Sequence, residues 1–152
     1  MHHMFDSFEG LSIAGPEDIP EPNVRPWRAG DMSCSATEVE ANLAEYSGKI
    51  IHTGWIPSCF RNASNNRFAF DHIDVDLYAP TRDALKFFYP RLIEGGIMLF
   101  DDDGFMTCPG ARQAINEFID IAGQRIIRLT TGQAFLYKRS FAASSRGMDQ
   151  LK

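Results

Sequence analysis

Ile97-Met98-Leu99-Phe100-Asp101-Asp102-Asp103-Gly104 is the stretch that decides how this chain folds. An unbroken apolar run belongs to a strand buried on both faces, as in a parallel sheet covered by helices. The run ends abruptly in carboxylates, so its carboxyl end must meet water or a ligand. On the amino-terminal side, Gly95-Gly96 reads as a turn, and residues 81–92 place Ala84, Leu85, Phe88 and Leu92 on one helical face. Further back, Arg67-Phe68-Ala69-Phe70-Asp71-His72-Ile73-Asp74-Val75 is a second strand that also runs into carboxylates. On the other side, Pro109 opens a helix carrying Ala111, Ala114, Ile115, Phe118 and Ile119. Residues 125–129 and 134–138 then flank Thr131-Gly132 closely enough to pair as an antiparallel hairpin. Alternating strands and helices give an α/β chain with a parallel sheet of the doubly wound kind, ending in that hairpin.

Outside this middle region the signals are weaker. Pro16, Pro20, Pro22 and Pro26 rule out a long helix in residues 5–31. Ser35 caps a short helix with Glu38 three residues on, Val39, Leu43 and Tyr46 at helical spacing, and Gly48 at its exit. Residues 49–55 read as a strand, and residues 57–66, rich in Asn and Ser, as an exposed loop. A 152-residue chain has room for one domain, and its net charge of −5, with no run of Lys or Arg, argues against nucleic acid as a partner. No segment is apolar for long enough to cross a bilayer, and Met1-His2-His3-Met4 does not read as a secretory leader. Cys34, Cys59 and Cys108 are odd in number and match no metal or redox spacing, which fits reduced thiols in a cytoplasmic protein.

The chemistry sits at the two strand ends, His72-Ile73-Asp74-Val75-Asp76 and Asp101-Asp102-Asp103. Ligands of open parallel sheets bind beyond the carboxyl ends of the strands, and a right-handed crossover through one helix brings these two ends together. Carboxylates that close repel, and a hard divalent cation relieves them. Spacing alone leaves a metal centre and solvated strand ends both open. Asp76 reads as a cap of the following helix, Asp103 as a solvated turn residue, and His72 as a packed strand histidine. A metal-binding Asp-x-Asp also occurs in sugar-nucleotide glycosyltransferases, although that leaves the second acidic cluster unexplained. An aspartyl-phosphate phosphatase would need Thr or Val where Tyr78 stands. A non-catalytic fragment is the remaining alternative.

Several strings resemble the TylF/MycF family of S-adenosylmethionine-dependent O-methyltransferases. They are Phe5-Asp6-Ser7-Phe8-Glu9-Gly10-Leu11, His72-Ile73-Asp74-Val75-Asp76-Leu77-Tyr78, Pro80-Thr81-Arg82-Asp83, Tyr89-Pro90-Arg91-Leu92, Gly95-Gly96, Phe100-Asp101-Asp102 and Cys108-Pro109-Gly110-Ala111. The likeness runs from residue 5 to about residue 138. It implies a class I methyltransferase-like sheet, S-adenosylmethionine and Mg²⁺ as cofactors, and a hydroxyl of a sugar or natural product as acceptor. By position, Asp74, Asp101 and Asp102 match the metal aspartates, and Asp74 is the nearest candidate for the base. Asp6 matches the residue that accepts hydrogen bonds from the cofactor ribose, and Trp55 lies where the family lines the adenine pocket.

The same resemblance implies that the chain is truncated at its amino-terminal side. This fold normally begins with a central strand, a Gly-rich loop and a helix, and residues 1–4 stand in place of these and of most of the second strand. The expectation is a partial methyltransferase domain over residues 1–139 with a polar tail over residues 140–152. A gap beside the strand of residues 67–75, and weak or absent activity of the isolated chain, follow from it. Assembly as a homo-oligomer is left open.

Overall fold

The computed structural model describes residues 1–139, so the polar tail expected over residues 140–152 lies outside the described residues. Its elements in chain order are β1 (His2–Asp6), α1 (Ala36–Asn42), β2 (Lys49–Thr53), β3 (Phe68–Ile73), α2 (Tyr78–Phe88), β4 (Leu92–Phe100), α3 (Pro109–Ala122), β5 (Ile126–Arg128) and β6 (Ala134–Tyr137), with short 3-10 turns at Pro16–Asp18, Ser58–Ala63 and Tyr89–Arg91. The strands form two sheets. In one, β1 pairs in parallel with β2. In the other the order is β3-β4-β6-β5, with β3 and β4 parallel and the β5–β6 hairpin antiparallel to β4. The α/β class, the parallel pair and the terminal hairpin are as the sequence predicts.

One face of the larger sheet carries the core. Met98, Phe100 and Leu136 point to it from the strands, and Leu85, Phe88, Ile115 and Phe118 meet them from α2 and α3. The periodicity explains why: the buried residues of α2 are Thr81, Ala84, Leu85 and Phe88, one stripe of an otherwise polar helix. Leu77 at the N-cap of α2 has no side-chain acceptor. Asp18 supplies one from 60 residues away: its Oδ1 accepts the Tyr78 N–H at 2.7 Å. Gly110 makes this possible, because a Cβ there would collide with the Asp18 carboxylate. A carboxylate at a helix N-terminus also meets the positive end of the helix dipole.

Several elements differ from the sequence reading, each for a tertiary reason. The helix placed at residues 81–92 is Tyr78–Phe88, followed by the turn Tyr89–Arg91. Pro90 lacks an N–H and cannot continue the helix. Gly95 and Gly96 do not end the strand but lie inside β4. The hairpin holds them there: Gly95 N–H donates to the Lys138 carbonyl and Lys138 N–H to that of Gly96. Gly95 takes φ +80°, and the register between β3 and β4 slips between Phe68 and Phe70. Residues His2 to Met4, left outside any element by the sequence reading, form most of β1, because β2 offers a parallel edge to pair with. The segment expected as an exposed loop holds the turn Ser58–Ala63, with Cys59, Phe60 and Ala63 buried. Phe60 packs against Phe5, Phe87 and Phe88. Asp103 is no solvated turn residue: it is 1% exposed and takes a two-pronged hydrogen bond from Arg128, with Nε to Oδ2 at 2.7 Å and Nη2 to Oδ1 at 3.1 Å.

Candidate active site

The ladder between β3 and β4 sets Ile73 opposite Phe100, so Asp74 and Asp101 leave neighbouring strands side by side. The Asp101 N–H donates to the Ile73 carbonyl at 3.0 Å, which fixes the two strand ends to each other. One donor atom each from His72, Asp74 and Asp101 lies within 4.8 Å of the other two. His72 Nε2 is 3.5 Å from Asp101 Oδ1, and the same oxygen accepts the Gln133 amide N–H at 2.6 Å. The His72 side chain is 42% exposed, so it is not the packed strand histidine expected from the sequence but faces the strand ends. Burial, then the Asp101 charge, raises the Asp74 pKa above the ordinary carboxylate value, with His72 acting the other way.

Asp102 points elsewhere. It is 6% exposed, and its Oδ2 accepts two backbone N–H groups, from Val75 at 3.2 Å and Asp76 at 2.8 Å. That clamp shapes the turn after Asp74, where Asp76 takes φ +59°. The N-cap of α2 is Leu77, so Asp76 is not the helix cap. Asp102 groups instead with Asp76 and Cys108, again within 4.8 Å. The Cys108 thiol donates to Asp76 Oδ1 at 3.4 Å and accepts the Trp27 indole N–H at 3.5 Å. Burial pushes the Asp102 carboxyl up to about 6 and, with two carboxylates beside it, the Cys108 thiol up to about 12. The structure therefore brings together two of the three aspartates assigned from sequence, adds His72 to them, and sets Asp102 in an adjoining group.

A cavity of about 330 Å³ opens beside these groups, lined among others by Phe5, Asp6, Trp55, Asp74, Asp76 and Asp83. Volumes of several hundred Å³ suit small ligands. Asp6 and Trp55, assigned to cofactor binding from sequence, thus share one cavity with Asp74. Asp6 ends β1, and its Oδ1 accepts the Phe8 N–H at 2.6 Å. Trp55 follows β2 and keeps 40% of its surface exposed. Gln133 escaped the sequence reading, and Cys108 figured in it only as a thiol and in a family string, without a site role. Nothing local marks Gln133, whereas Cys108 sits beside the helix-opening Pro109.

Residues 2–127 match the family model described as Macrocin-O-methyltransferase (TylF). The chain belongs to this family. Its relatives include the mycinamicin III 3''-O-methyltransferase of Micromonospora griseorubida, 31% identical over 126 residues that make up 78% of this chain and 48% of that protein. Another is the demethyldecarbamoylnovobiocin O-methyltransferase of Streptomyces niveus, 28% identical over 130 residues, 80% of this chain and 49% of that one. The chain spans about half the length of these curated relatives. Among solved structures, the O-methyltransferase NovP superposes with a TM-score of 0.72 at 23% identity, over 91% of this chain and 60% of that one. The calicheamicin methyltransferase CalS11 gives 0.68 at 22% identity, over 89% and 59%. These likenesses establish the methyltransferase fold. Family membership also sets aside the glycosyltransferase and phosphatase readings of the aspartates. No helix among the described residues is long and apolar enough to cross a membrane.

Proposed function

We propose that this chain carries the acceptor-side and metal-side half of an S-adenosylmethionine-dependent O-methyltransferase site acting on a hydroxyl of a sugar or natural product. The observation that supports it is the convergence of Asp74 and Asp101, on adjacent strands, onto one spot at the rim of a cavity that also holds Asp6 and Trp55. The donor set fits a divalent cation such as Mg²⁺ well at Asp74 and Asp101, with His72 beside them. The fit of Asp102 is partial, since one of its oxygens is committed to two backbone amides and only Oδ1 is left to offer. A divalent cation held there would supply positive charge that eases deprotonation of an acceptor hydroxyl.

The chain's own groups then divide the work. Asp74 is the group placed to take the acceptor hydroxyl proton; burial and the Asp101 charge raise its pKa in the cation-free chain, and a cation held beside it would act the other way. Asp102, through the backbone clamp, aims Asp74. Asp6 accepts hydrogen bonds from the cofactor ribose, and Trp55 offers a flat apolar surface to the adenine. Buried free thiols at Cys59 and Cys108 accord with a reducing cytoplasm. We infer that a chain spanning about half the length of its curated relatives binds S-adenosylmethionine weakly by itself. Calorimetry at saturating Mg²⁺ tests both parts. The reading predicts Mg²⁺ binding that Asp74→Asn abolishes, and cofactor binding weaker than about 100 μM. Mg²⁺ binding that survives Asp74→Asn overturns the site, and micromolar cofactor binding overturns the inference of weak binding.

A further inference from the structure

The larger sheet sorts the groups at its carboxyl end by face. Side chains alternate along a strand, so residues two apart share a side. On β3, Asp71 and Ile73 lie on the buried face, and His72 between them is exposed on the other. On β4, Phe100 is buried against the helices, and Leu99 before it turns to the open face. The ladder pairs His72 with Leu99 and Ile73 with Phe100. Asp74 and Asp101 each lie two residues beyond the His72–Leu99 pair, so both continue on the face of His72. Asp102 falls on the opposite face, where the Val75 and Asp76 N–H groups hold it. Strand alternation thus removes Asp102 from the group and puts a histidine into it.

The distances are those of co-ligands. His72 Nε2 lies 3.5 Å from Asp101 Oδ1, long for an N–H···O bond, which centres near about 2.9 Å. Two donors to one ion need such a spacing: bonds of about 2.1 Å at right angles set neighbouring ligand atoms about 3.0 Å apart. Asp74 supplies a third donor atom within 4.8 Å of the other two. The His72 side chain is half-exposed, so an ion reaches its ring without disturbing the core. Imidazole nitrogen is a softer donor than carboxylate oxygen. Mg²⁺ prefers oxygen ligands and keeps its waters, whereas later first-row divalent ions take imidazole readily. Three protein ligands also leave positions on the ion open to water or an acceptor oxygen.

We propose that His72 is a ligand of the divalent cation beside Asp74 and Asp101, and that its nitrogen moves the preference of the site from Mg²⁺ toward a first-row transition ion of the Co²⁺ or Zn²⁺ class. The inference rests on the metal site proposed above and deepens it, replacing an all-oxygen set with one nitrogen and two carboxylates. Asp102 then serves the site from behind, by holding the turn that follows Asp74.

Calorimetry of the full chain with Co²⁺ and with Mg²⁺ tests it, in a Cys34→Ser background that removes the exposed thiol as a competing ligand. The expected result is one Co²⁺ bound at least about tenfold more tightly than Mg²⁺. His72→Ala should weaken Co²⁺ binding by about tenfold or more, and Mg²⁺ binding by less than about threefold. His72→Asp, which supplies an oxygen donor instead, should close the gap between the two ions. Proton NMR of the Co²⁺-loaded chain reads the same contact without altering position 72. Strongly shifted ring resonances of His72 support the inference, and unshifted ones overturn it. Co²⁺ affinity indifferent to His72→Ala also overturns it, as do equal losses for the two ions. The two ideas fail separately. Mg²⁺ binding that Asp74→Asn abolishes, without any preference for Co²⁺, sinks the role of His72 and leaves the metal site standing. Binding of neither ion, or binding that survives Asp74→Asn, sinks both.

Discussion

The two sheets of this molecule are built to different standards. The β3–β6 sheet with α2 and α3 holds nearly all of the core, and Leu85, Leu92, Met98, Phe100, Ile115 and Leu136 are each at most 1% exposed. The β1–β2 sheet has α1 beside it in sequence, and α1 buries none of its residues. It is tied to the rest through rings: Phe5 on Phe60 and Phe88, and His3 on Phe68. The carboxylates of the proposed metal site stand on the firm part, and Asp6 and Trp55 stand on the loose part. The same fold thus sets one half of the proposed site on a well-buried sheet and the other half beside elements with few buried residues.

Core truncation tests that contrast most severely. Phe100→Ala should cost about 3–5 kcal/mol and unfold the β3–β6 sheet, read by urea denaturation. Phe5→Ala should cost less, about 2 kcal/mol, and speed amide exchange in β1 and β2 while β4 stays protected. Equal loss of protection in both sheets would show that they form one cooperative unit. Arg128→Ala would leave the Asp103 carboxylate buried without its partner, and should cost about 3 kcal/mol in the firm sheet.

The two sheets should also respond to pH in opposite directions. Asp71 on β3 is buried with Oδ2 unpartnered, and burial pushes its carboxyl from 3.8 up to about 7. The folded state therefore holds this proton more tightly than the unfolded chain. No penalty exists below about pH 4; it grows between 4 and 7 and is complete above 7. Asp71→Asn should remove that slope and stabilise the protein at pH 8 by about 2 kcal/mol, measured by thermal melts across the range. His52 on β2 is the reverse case. Burial, then the neighbouring His3, lowers its pKa below the ordinary 6.5, so the β1–β2 sheet should lose stability as pH falls through that value. Amide exchange of β2 at pH 5.5 and 7.5, corrected for intrinsic rates, would show this smallest effect. Slower exchange at the lower pH would contradict it.

The firm sheet was also the legible one. The apolar run from Ile97 to Phe100 and the helical stripes of α2 and α3 are local patterns, and the structure follows them. The β5–β6 hairpin was readable from two short strands around Thr131-Gly132. The loose sheet was half hidden, since His2-His3-Met4 has no strand pattern of its own and becomes a strand only against β2. Within the site, Asp74 and Asp101 were legible because both follow strands that must be neighbours. The orientation of Asp102 was not, because a carboxylate beside two others shows nothing in sequence of the amides it will accept from Val75 and Asp76.

By itself the sequence determined the order and type of the central elements, the face each helix buries, and the placing of acidic groups at two strand ends. Periodicity and chain connectivity are enough for that. Tertiary structure alone decided which carboxylates share a space, that Asp103 is buried with Arg128 and Asp18 caps a helix 60 residues away, and that β1 and β3 belong to separate sheets. These are relations between groups far apart in the chain. Their energies depend on distance, burial and the partner at hand, and none of the three is written in the local order of residues.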